Sequence, residues 1–128
     1  MQKELIICST LLIETSPQAL PLGAACIASA LKNDLLTKDK FEVKLISQSL
    51  EDIANKKIDD VALYFANILL EQNPKYLCFS VYVWNRNLIE QTAKVIKQKS
   101  ANIVIIAGGP EVTANPLSFE NFDYTISG

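Results

Sequence analysis

The chain has 128 residues, of which 49% are hydrophobic and 20% are charged, so it has the size and apolar content of one domain with a buried core. A formal net charge of −2 and the lack of any block of like charge argue against a nucleic-acid-binding surface. No apolar run approaches the roughly 18 residues of a membrane-spanning helix, and the N-terminal residues do not form a signal peptide. We therefore expect a cytoplasmic protein that binds neither membranes nor nucleic acid.

The three cysteines, Cys8, Cys26 and Cys78, are scattered along the chain and each lies in an apolar segment. Such an odd, dispersed set forms neither a disulfide framework nor a metal cluster, so we expect buried free thiols in a reducing compartment. The chain contains no histidine, which excludes the common catalytic dyads and many metal sites. The sequence therefore predicts no catalytic residue and no metal ligand.

Strand and helix patterns alternate along the first third of the chain. Residues 5–9 are an unbroken apolar run that predicts a first strand, and residues 10–17 follow as a loop. Residues 19–35 predict the first helix, because small and apolar side chains recur there at helical spacing. The predicted inward face of this helix comprises Ala24, Ile27, Ala28, Leu31 and Leu35.

The second third of the chain continues the same alternation. Residues 41–46 alternate between apolar and charged side chains, as expected for a half-exposed strand. Ser49 and Asp52 are candidates to start a short helical turn. Residues 60–70 predict a second helix. Its predicted buried face comprises Val61, Tyr64, Phe65, Ile68 and Leu69.

The last part of the chain adds two more units of this kind. Residues 76–83 predict an almost wholly apolar third strand, and residues 84–86 the turn that follows it. Residues 88–99 predict a third helix with Ile89, Thr92, Ala93 and Ile96 facing inward. Residues 103–107 predict the fourth strand, and Asn115 before Pro116 predicts a helix start. Residues 123–126 are a short last strand.

This alternation predicts an α/β fold of the Rossmann-like (flavodoxin-like) kind, a three-layer sandwich around a five-stranded parallel sheet. The first, third and fourth strands are unbroken apolar runs and should be central, whereas the second alternates and the fifth is short. The predicted strand order is therefore 2-1-3-4-5, with the switch point between the first and third strands. A ligand crevice at that point would be lined by residues 10–17 and 82–86.

The fourth strand ends in a distinctive turn, Gly108, Gly109 and Pro110. Two residues without a Cβ permit either a sharp turn or the close approach of a ligand to the backbone. Pro110 disfavours helical geometry at Gly109 and keeps that exit extended. The residues alone leave both interpretations open, an ordinary strand-ending turn or a backbone surface for a ligand at the carboxyl edge of the sheet.

Several ligands of this fold class are disfavoured by the loop after the first strand. The loop contains no glycine, whereas a dinucleotide site requires Gly-x-Gly-x-x-Gly there, and a flavodoxin-type phosphate loop fits poorly for the same reason. A phosphorelay receiver needs acidic residues where Cys8-Ser9 and Val81-Tyr82 stand. No nucleophile–base pair indicates a hydrolase.

Three further segments carry a family resemblance that covers nearly the whole chain. They are Pro21-Leu22-Gly23 at the predicted start of the first helix, residues 74–85 around the third strand, and residues 107–113, which read Ala-Gly-Gly-Pro-Glu-Val-Thr. Together and in this order, they resemble the N-terminal cobalamin-binding domain of cobalamin-dependent radical S-adenosylmethionine enzymes. Residues 123–128 correspond to the place where that family continues with Gly-Glu-x-Glu.

The resemblance implies that the dimethylbenzimidazole nucleotide tail of cobalamin enters the crevice. Ser80 and Tyr82 would contact the tail, and the two glycines would let it lie against the backbone. Trp84 would either cover part of the corrin face or serve as an ordinary half-buried packing residue, and Glu111 would cap a helix. The implied cofactor-binding residues are Thr10, Leu11, Ser80, Val81, Tyr82, Trp84, Asn85, Gly108, Gly109 and Pro110.

Two motifs of related proteins are absent from this chain. The cobalamin domains of methionine synthase and of mutases carry Asp-x-His-x-x-Gly, whose histidine binds cobalt, and the radical enzymes carry Cys-x-x-x-Cys-x-x-Cys. The resemblance therefore implies base-off cobalamin without a histidine ligand. The iron–sulfur cluster and S-adenosylmethionine would belong to a C-terminal radical domain of the same parent chain, from which residues 1–128 would be a single excised domain.

The resulting hypothesis is a cobalamin-binding module with no activity of its own. It would present cobalamin, often as a methyl carrier, to the catalytic domain of an enzyme such as a methyltransferase. The alternative is a cofactor-free, flavodoxin-like protein-interaction domain. A change in the corrin spectrum on titration separates the two.

Overall fold

A computed structural model of the protein describes residues 3–12, 21–49, 56–115 and 118–127. Strands and helices alternate along these residues. The strands are β1 (Glu4–Leu12), β2 (Phe41–Ser49), β3 (Tyr76–Ser80), β4 (Val104–Gly108) and β5 (Tyr124–Thr125). The helices are α1 (Leu22–Asn33), α2 (Ile58–Glu71), α3 (Arg86–Lys99) and α4 (Pro110–Ala114).

All five strands form one parallel sheet in the order β2-β1-β3-β4-β5. This confirms both the α/β fold class and the strand order predicted from the contrast between apolar and alternating strands. Central strands of a parallel sheet are covered on both faces, so they need apolar side chains in both directions. The switch point therefore lies between β1 and β3, as expected.

The helices divide the core into two unequal layers. On the α2 and α3 side, a large cluster includes Phe65, Phe79, Ile89 and Ile105, all of which are at most 2% exposed. On the α1 side a smaller cluster buries Ala24 and Ala28 against the sheet. Its other buried members are Ile6, Cys8 and Val43. Alanines allow α1 to approach the sheet closely, so its first turn lies near the end of β3.

The first two strands are longer than the sequence predicted. Thr10 and Leu11 continue β1 instead of starting a loop, because they pair with Ser47 and Gln48 of β2. Ser49 is the last residue of β2, and the helical turn predicted to start at Ser49 or Asp52 would lie outside the described residues. The rest of the predicted loop, the start predicted for the first helix and Asp52 lie outside the described residues.

The segments around the glycine turn also differ from prediction. β3 ends at Ser80, three residues earlier than expected. A short helix, α4, begins directly after Gly109, with Pro110 in its first turn and Glu111 near its positive N-terminal end. Asn115 is the C-terminal cap of α4. The helix start predicted at Asn115 and Pro116 stays a prediction, because Pro116 lies outside the described residues.

The predicted inward face of α3 is confirmed, since all four of its residues are buried. The predicted inward faces of α1 and α2 were partly wrong. Ile27 is 42% exposed, and Leu35 falls beyond the end of α1 and is 82% exposed. Tyr64 is 57% exposed, and the alanines of α2 take its place in the core. The prediction of three buried thiols holds only for Cys8, since Cys26 is exposed on α1 and Cys78 is half-buried.

Candidate functional site

The carboxyl ends of β1, β3 and β4 meet at one edge of the sheet, beside the switch point. Ser80 and Gly108 are neighbours in the β3–β4 register. The backbone N–H of Val81 donates to the carbonyl of Gly108 at 2.8 Å, and the hydroxyl of Thr10 donates to the carbonyl of Ser80 at 2.8 Å. These bonds hold three strand ends side by side, so residues far apart in sequence form one surface.

Asn85 links the turn after β3 to the end of β1. Its Oδ1 accepts a hydrogen bond from the backbone N–H of Tyr82 at 2.8 Å. Its Nδ2 donates to Thr10 Oγ1 at 3.2 Å and to the carbonyl of Leu11 at 3.0 Å. Asn85 is fully buried, and both the oxygen and the nitrogen of its side-chain amide are paired with protein groups by these bonds. The side chain therefore ties the turn after β3 to the end of strand β1.

Gly23 was not among the implied contact residues, yet it faces them. A Cβ at Gly23 would lie 3.0 Å from the hydroxyl of Tyr82 and 3.4 Å from Oγ of Ser80. The first turn of α1 therefore rests on both hydroxyl-bearing side chains of the crevice. Ser80 is 4% exposed, so its side chain is almost wholly enclosed at this edge of the sheet. The Pro21-Leu22-Gly23 motif was the signal in the sequence that could have placed Gly23 in the site.

The aromatic residues after β3 form the outer wall of the crevice. The rings of Tyr82 and Trp84 are stacked, with centroids 4.7 Å apart and an angle of 4° between their planes. Trp84 is 47% exposed and Val83 is 75% exposed. Leu22, at the start of α1, is 67% exposed. An apolar rim of this kind on a polar-lined crevice is a feature of sites that take a large, partly apolar ligand.

Gly109 is required by the protein's own backbone. Its φ is +104°, a conformation that other residues adopt only with strain. A Cβ at this position would lie 2.8 Å from the carbonyl oxygen and 3.0 Å from the nitrogen of Val81. The missing side chain thus allows the turn after β4 to pack on the end of β3. A branched residue here would meet protein before it met any ligand.

Gly108 has a different environment from its neighbour. A Cβ there would have one close contact, the carbonyl oxygen of Ile126 at 3.8 Å, which is an ordinary packing distance. Gly108 is half-buried, whereas Pro110 is exposed at the start of α4. Gly108 is therefore the glycine of the turn that can report on a ligand.

The structure brings the ten implied residues to one edge, but it does not turn every side chain toward the crevice. Leu11 and Val81 are at most 1% exposed and belong to the core on the α2 and α3 side. They can affect the crevice only through their backbone atoms, which make the hydrogen bonds described above. Ser80, Tyr82 and Trp84 are the implied residues whose side chains line it.

Cys8 and Cys78 lie directly opposite each other on β1 and β3, beneath α1. A hydrogen bond between the thiols raises the pKa of Cys8, and burial raises it further. The same hydrogen bond lowers the pKa of Cys78, although burial opposes this effect. Both side chains pack in the small core cluster, away from the strand ends.

Two shallow hollows lie at the opposite, amino-terminal edge of the sheet. One, of about 420 Å³, is lined by residues that include Pro74, Lys75 and Lys99. The other, of about 430 Å³, shares Pro74 and Lys75 and adds Lys3 and Lys44. In parallel α/β sheets the ligand lies at the carboxyl ends of the strands, so the crevice at the other edge remains the candidate site.

The described residues contain neither a membrane-spanning helix nor a metal-binding cluster. In that part of the chain, no helix combines the length and the apolar character needed to cross a membrane. Nor do the same residues contain a group of three or more cysteine or carboxylate side chains that could hold a metal ion.

The chain is similar to a known protein in sequence and to a solved structure in fold. A segment of the chain is 39% identical over 46 residues to the cobalamin-dependent radical SAM methyltransferase TokK of Streptomyces tokunonensis, covering 36% of this chain and 7% of that protein. The fold matches the crystal structure of a cobalamin-binding protein from Desulfitobacterium hafniense DCB-2 with a TM-score of 0.58 and 16% identity. That alignment covers 98% of this chain and 53% of the neighbour. No protein-family model matches the chain.

The two comparisons agree with the resemblance found in the sequence, although the chain spans only part of the length of either protein. The first is a similarity of sequence over about a third of the chain, and the second is a similarity of fold. The chain thus resembles a cobalamin-dependent radical SAM methyltransferase in sequence and a cobalamin-binding protein in its Rossmann-like architecture.

Proposed function

We propose that this chain is a cobalamin-binding module whose ligand lies at the carboxyl edge of β1, β3 and β4. The observation that carries the proposal is the meeting of Gly23, Ser80 and Tyr82 beside the switch point. Small residues and two hydroxyl groups face one another there, as a nucleotide tail requires. The relatives named above support a corrin over the other ligands that this fold accommodates.

The chemistry of the crevice fits the proposed tail. Ser80 Oγ can both donate and accept a hydrogen bond. Gly23 offers a surface without a Cβ, but the hydroxyl of Tyr82 stands over it in this structure. A tail that reaches Ser80 must therefore displace the Tyr82 ring. Trp84 and Val83 would then form the apolar wall beside the corrin.

Cobalamin bound here would have its own base detached, because the crevice would hold the nucleotide that carries that base. The chain contains no histidine to replace it. The module would supply binding, orientation and exclusion of water, and the bound cofactor would supply the carrier chemistry for a methyl group. The chain's own residues would perform no covalent step.

The larger setting is also part of the proposal. We place residues 1–128 as one domain of a longer cytoplasmic enzyme, with a C-terminal radical S-adenosylmethionine domain that contains the iron–sulfur cluster. The similarity to TokK supports this setting. The free cysteines of the chain suit a reducing compartment.

Titration with hydroxocobalamin tests the function directly. We expect a shift of the corrin absorption bands and a rise in melting temperature, since a ligand at about 100 times its dissociation constant stabilises a fold by roughly 2.7 kcal/mol. Ser80→Ala should weaken binding by about 0.5–1.5 kcal/mol, the contribution of one neutral hydrogen bond. Thr113→Ala, on the exposed side of α4, is the matched control that should bind like the parent protein.

A cofactor-free interaction domain is the alternative, and the exposed Leu22, Val83 and Trp84 are the observation that favours it. In that case millimolar hydroxocobalamin would change neither the spectrum nor the melting temperature. Such a result, obtained with folded protein, would remove the cobalamin proposal.

A further inference from the structure

Arg86, the first residue of α3, makes contacts that the resemblance did not imply. Its Nη1 lies 3.2 Å from Glu111 Oε2 in α4, and its Nη2 lies 3.3 Å from Glu90 Oε1 one turn along its own helix. Nη2 also donates to Ser118 Oγ at 2.6 Å. The guanidinium lies over the ring of Phe119, 4.5 Å from its centroid. One side chain therefore joins α3, α4 and the segment that leads to β5.

These contacts exceed those of an ordinary surface ion pair. An isolated exposed pair contributes little, but the Arg86 side chain is 25% exposed and that of Glu111 is 24% exposed. Phe119, beneath the guanidinium, is 6% exposed and belongs to the large core cluster. A planar guanidinium with several partners is held in one orientation, which a lysine ammonium cannot reproduce.

The neighbouring residue, Asn85, points the opposite way, to Thr10 and Leu11 at the end of β1. Asn85 and Arg86 together therefore tie the start of α3 to the ends of β1 and β4. Glu111, the partner of Arg86, is two residues after Gly109, and its backbone N–H donates to the carbonyl of Val81 at 3.3 Å. The glycine turn is thus held on β3 by the 2.8 Å bond between Val81 and Gly108, whereas its α4 side is held by the longer Glu111–Val81 bond and by the Arg86 ion pair.

We infer that Arg86 is a positioning residue that sets the Gly108–Gly109 turn against the end of β3. It would act on the proposed cofactor site through Glu111 without touching the ligand. Loss of the guanidinium would free α4 to move away from Val81 and would widen the crevice beside Ser80. The inference rests on the proposed function only for its effect on cobalamin, since the positioning itself can be measured without a ligand.

The test compares Arg86→Gln, Glu111→Gln and the double variant with the parent protein, using hydroxocobalamin titration and amide hydrogen exchange. In metal sites, replacing an outer residue that orients a ligand-binding group typically changes affinity by about 10- to 100-fold, and we take the lower end of that range for Arg86. We expect Arg86→Gln to weaken binding at least tenfold, and the double variant to be no weaker than Arg86→Gln, because the two side chains act as one unit. Arg86→Lys should recover only part of the loss.

Two readouts separate positioning from general destabilisation. In Arg86→Gln, the amide of Glu111 should exchange faster, while that of the core residue Ile89 keeps its protection. Glu90→Gln removes the other ion pair of Arg86 and should change cobalamin affinity by less than twofold. Unchanged exchange at Glu111 would overturn the inference, whether or not the parent protein binds cobalamin. If folded Arg86→Gln binds hydroxocobalamin as tightly as the parent protein does, the inferred effect of Arg86 on the cofactor site is overturned.

Discussion

Gly108 and Gly109 are adjacent in sequence and have different roles. Gly109 has φ +104° and ψ −178°, a backbone region that is essentially restricted to glycine. Gly109→Ala should therefore destabilise the fold by about 1–3 kcal/mol from backbone strain, and the clash with the Val81 backbone adds to this cost. Gly108→Ala should cost less than about 1 kcal/mol, because its new methyl group would make only ordinary contacts. Urea unfolding of both variants measures the difference. Equal loss of stability would show that the turn is more plastic than its geometry indicates.

Gly108→Val, not Gly109→Val, is therefore the variant that reports on a ligand lying against the turn. The sequence alone does not separate the two glycines, because it does not reveal the φ of Gly109. In the structure that substitution perturbs β3 first, so a loss of cobalamin binding would follow from misfolding. Affinity measured for Gly108→Val should be interpreted at a temperature well below its own melting point.

Ser9 and Thr10 carry adjacent hydroxyl groups on β1 whose replacement should have opposite effects. Ser9 is fully buried, and its Oγ has no hydrogen-bond partner among the described residues. Thr10 Oγ1 both donates to Ser80 and accepts from Asn85. We expect Ser9→Ala to raise the free energy of unfolding by about 1 kcal/mol and Thr10→Val to lower it by about 1–3 kcal/mol. Denaturant unfolding of the pair tests this, and a destabilised Ser9→Ala would reveal a partner for that hydroxyl.

At the scale of elements, the two-residue strand β5 depends on Asp123. The backbone N–H of Ile105 donates to Asp123 Oδ2 at 2.8 Å, and the N–H of Asp123 donates to the carbonyl of Ile105 at 2.8 Å. Lys97 Nζ lies 2.6 Å from the same carboxylate oxygen. A side chain thus extends the β4–β5 pairing beyond the two registered pairs. The attachment of β5 should be correspondingly sensitive to the charge of Asp123.

This sensitivity gives a pH prediction. Burial raises the pKa of Asp123, but the hydrogen bonds from Lys97 and from the Ile105 N–H outweigh it, so the pKa is lowered from its ordinary value of 3.8. A carboxyl group whose pKa is lowered by folding stabilises the fold above its unfolded pKa. This contribution is lost as the pH falls through the lower, folded value. Melting temperatures between pH 6 and pH 3 should therefore fall less for Asp123→Asn than for the parent protein. Parallel curves would contradict the assignment.

At the scale of the whole molecule, composition limits which side chains could bind the cobalt of cobalamin in the proposed site. No imidazole exists in the chain, and lysine ammonium groups carry no free lone pair near neutral pH. Electron paramagnetic resonance of cob(II)alamin bound to the protein should therefore show no nitrogen superhyperfine splitting. The spectrum of free cob(II)alamin with its base attached is the control. Splitting in the bound form would mean that the base remains attached or that a protein nitrogen replaces it.

Much of the architecture could be predicted from the sequence because it follows from burial. An unbroken apolar run at residues 5–9 or 103–107 is stable only when both faces of the strand are covered, which places β1 and β4 inside the sheet. The i, i+3, i+4 spacing of Ile89, Thr92, Ala93 and Ile96 determined the inner face of α3 for the same reason. The missing histidine and the glycine-free first loop made several other cofactors of this fold class unfavourable candidates.

The tertiary structure alone decided how the crevice is held, because its contacts join residues distant in sequence. Nothing local to Arg86 indicates that it meets Glu111 and Ser118, and nothing local to Asn85 indicates that its amide reaches Thr10. The role of Gly109 likewise depends on a φ value and on a Val81 backbone that no pattern encodes. Periodicity reports which face of an element is buried, whereas the partner of a buried polar group depends on how the elements pack together.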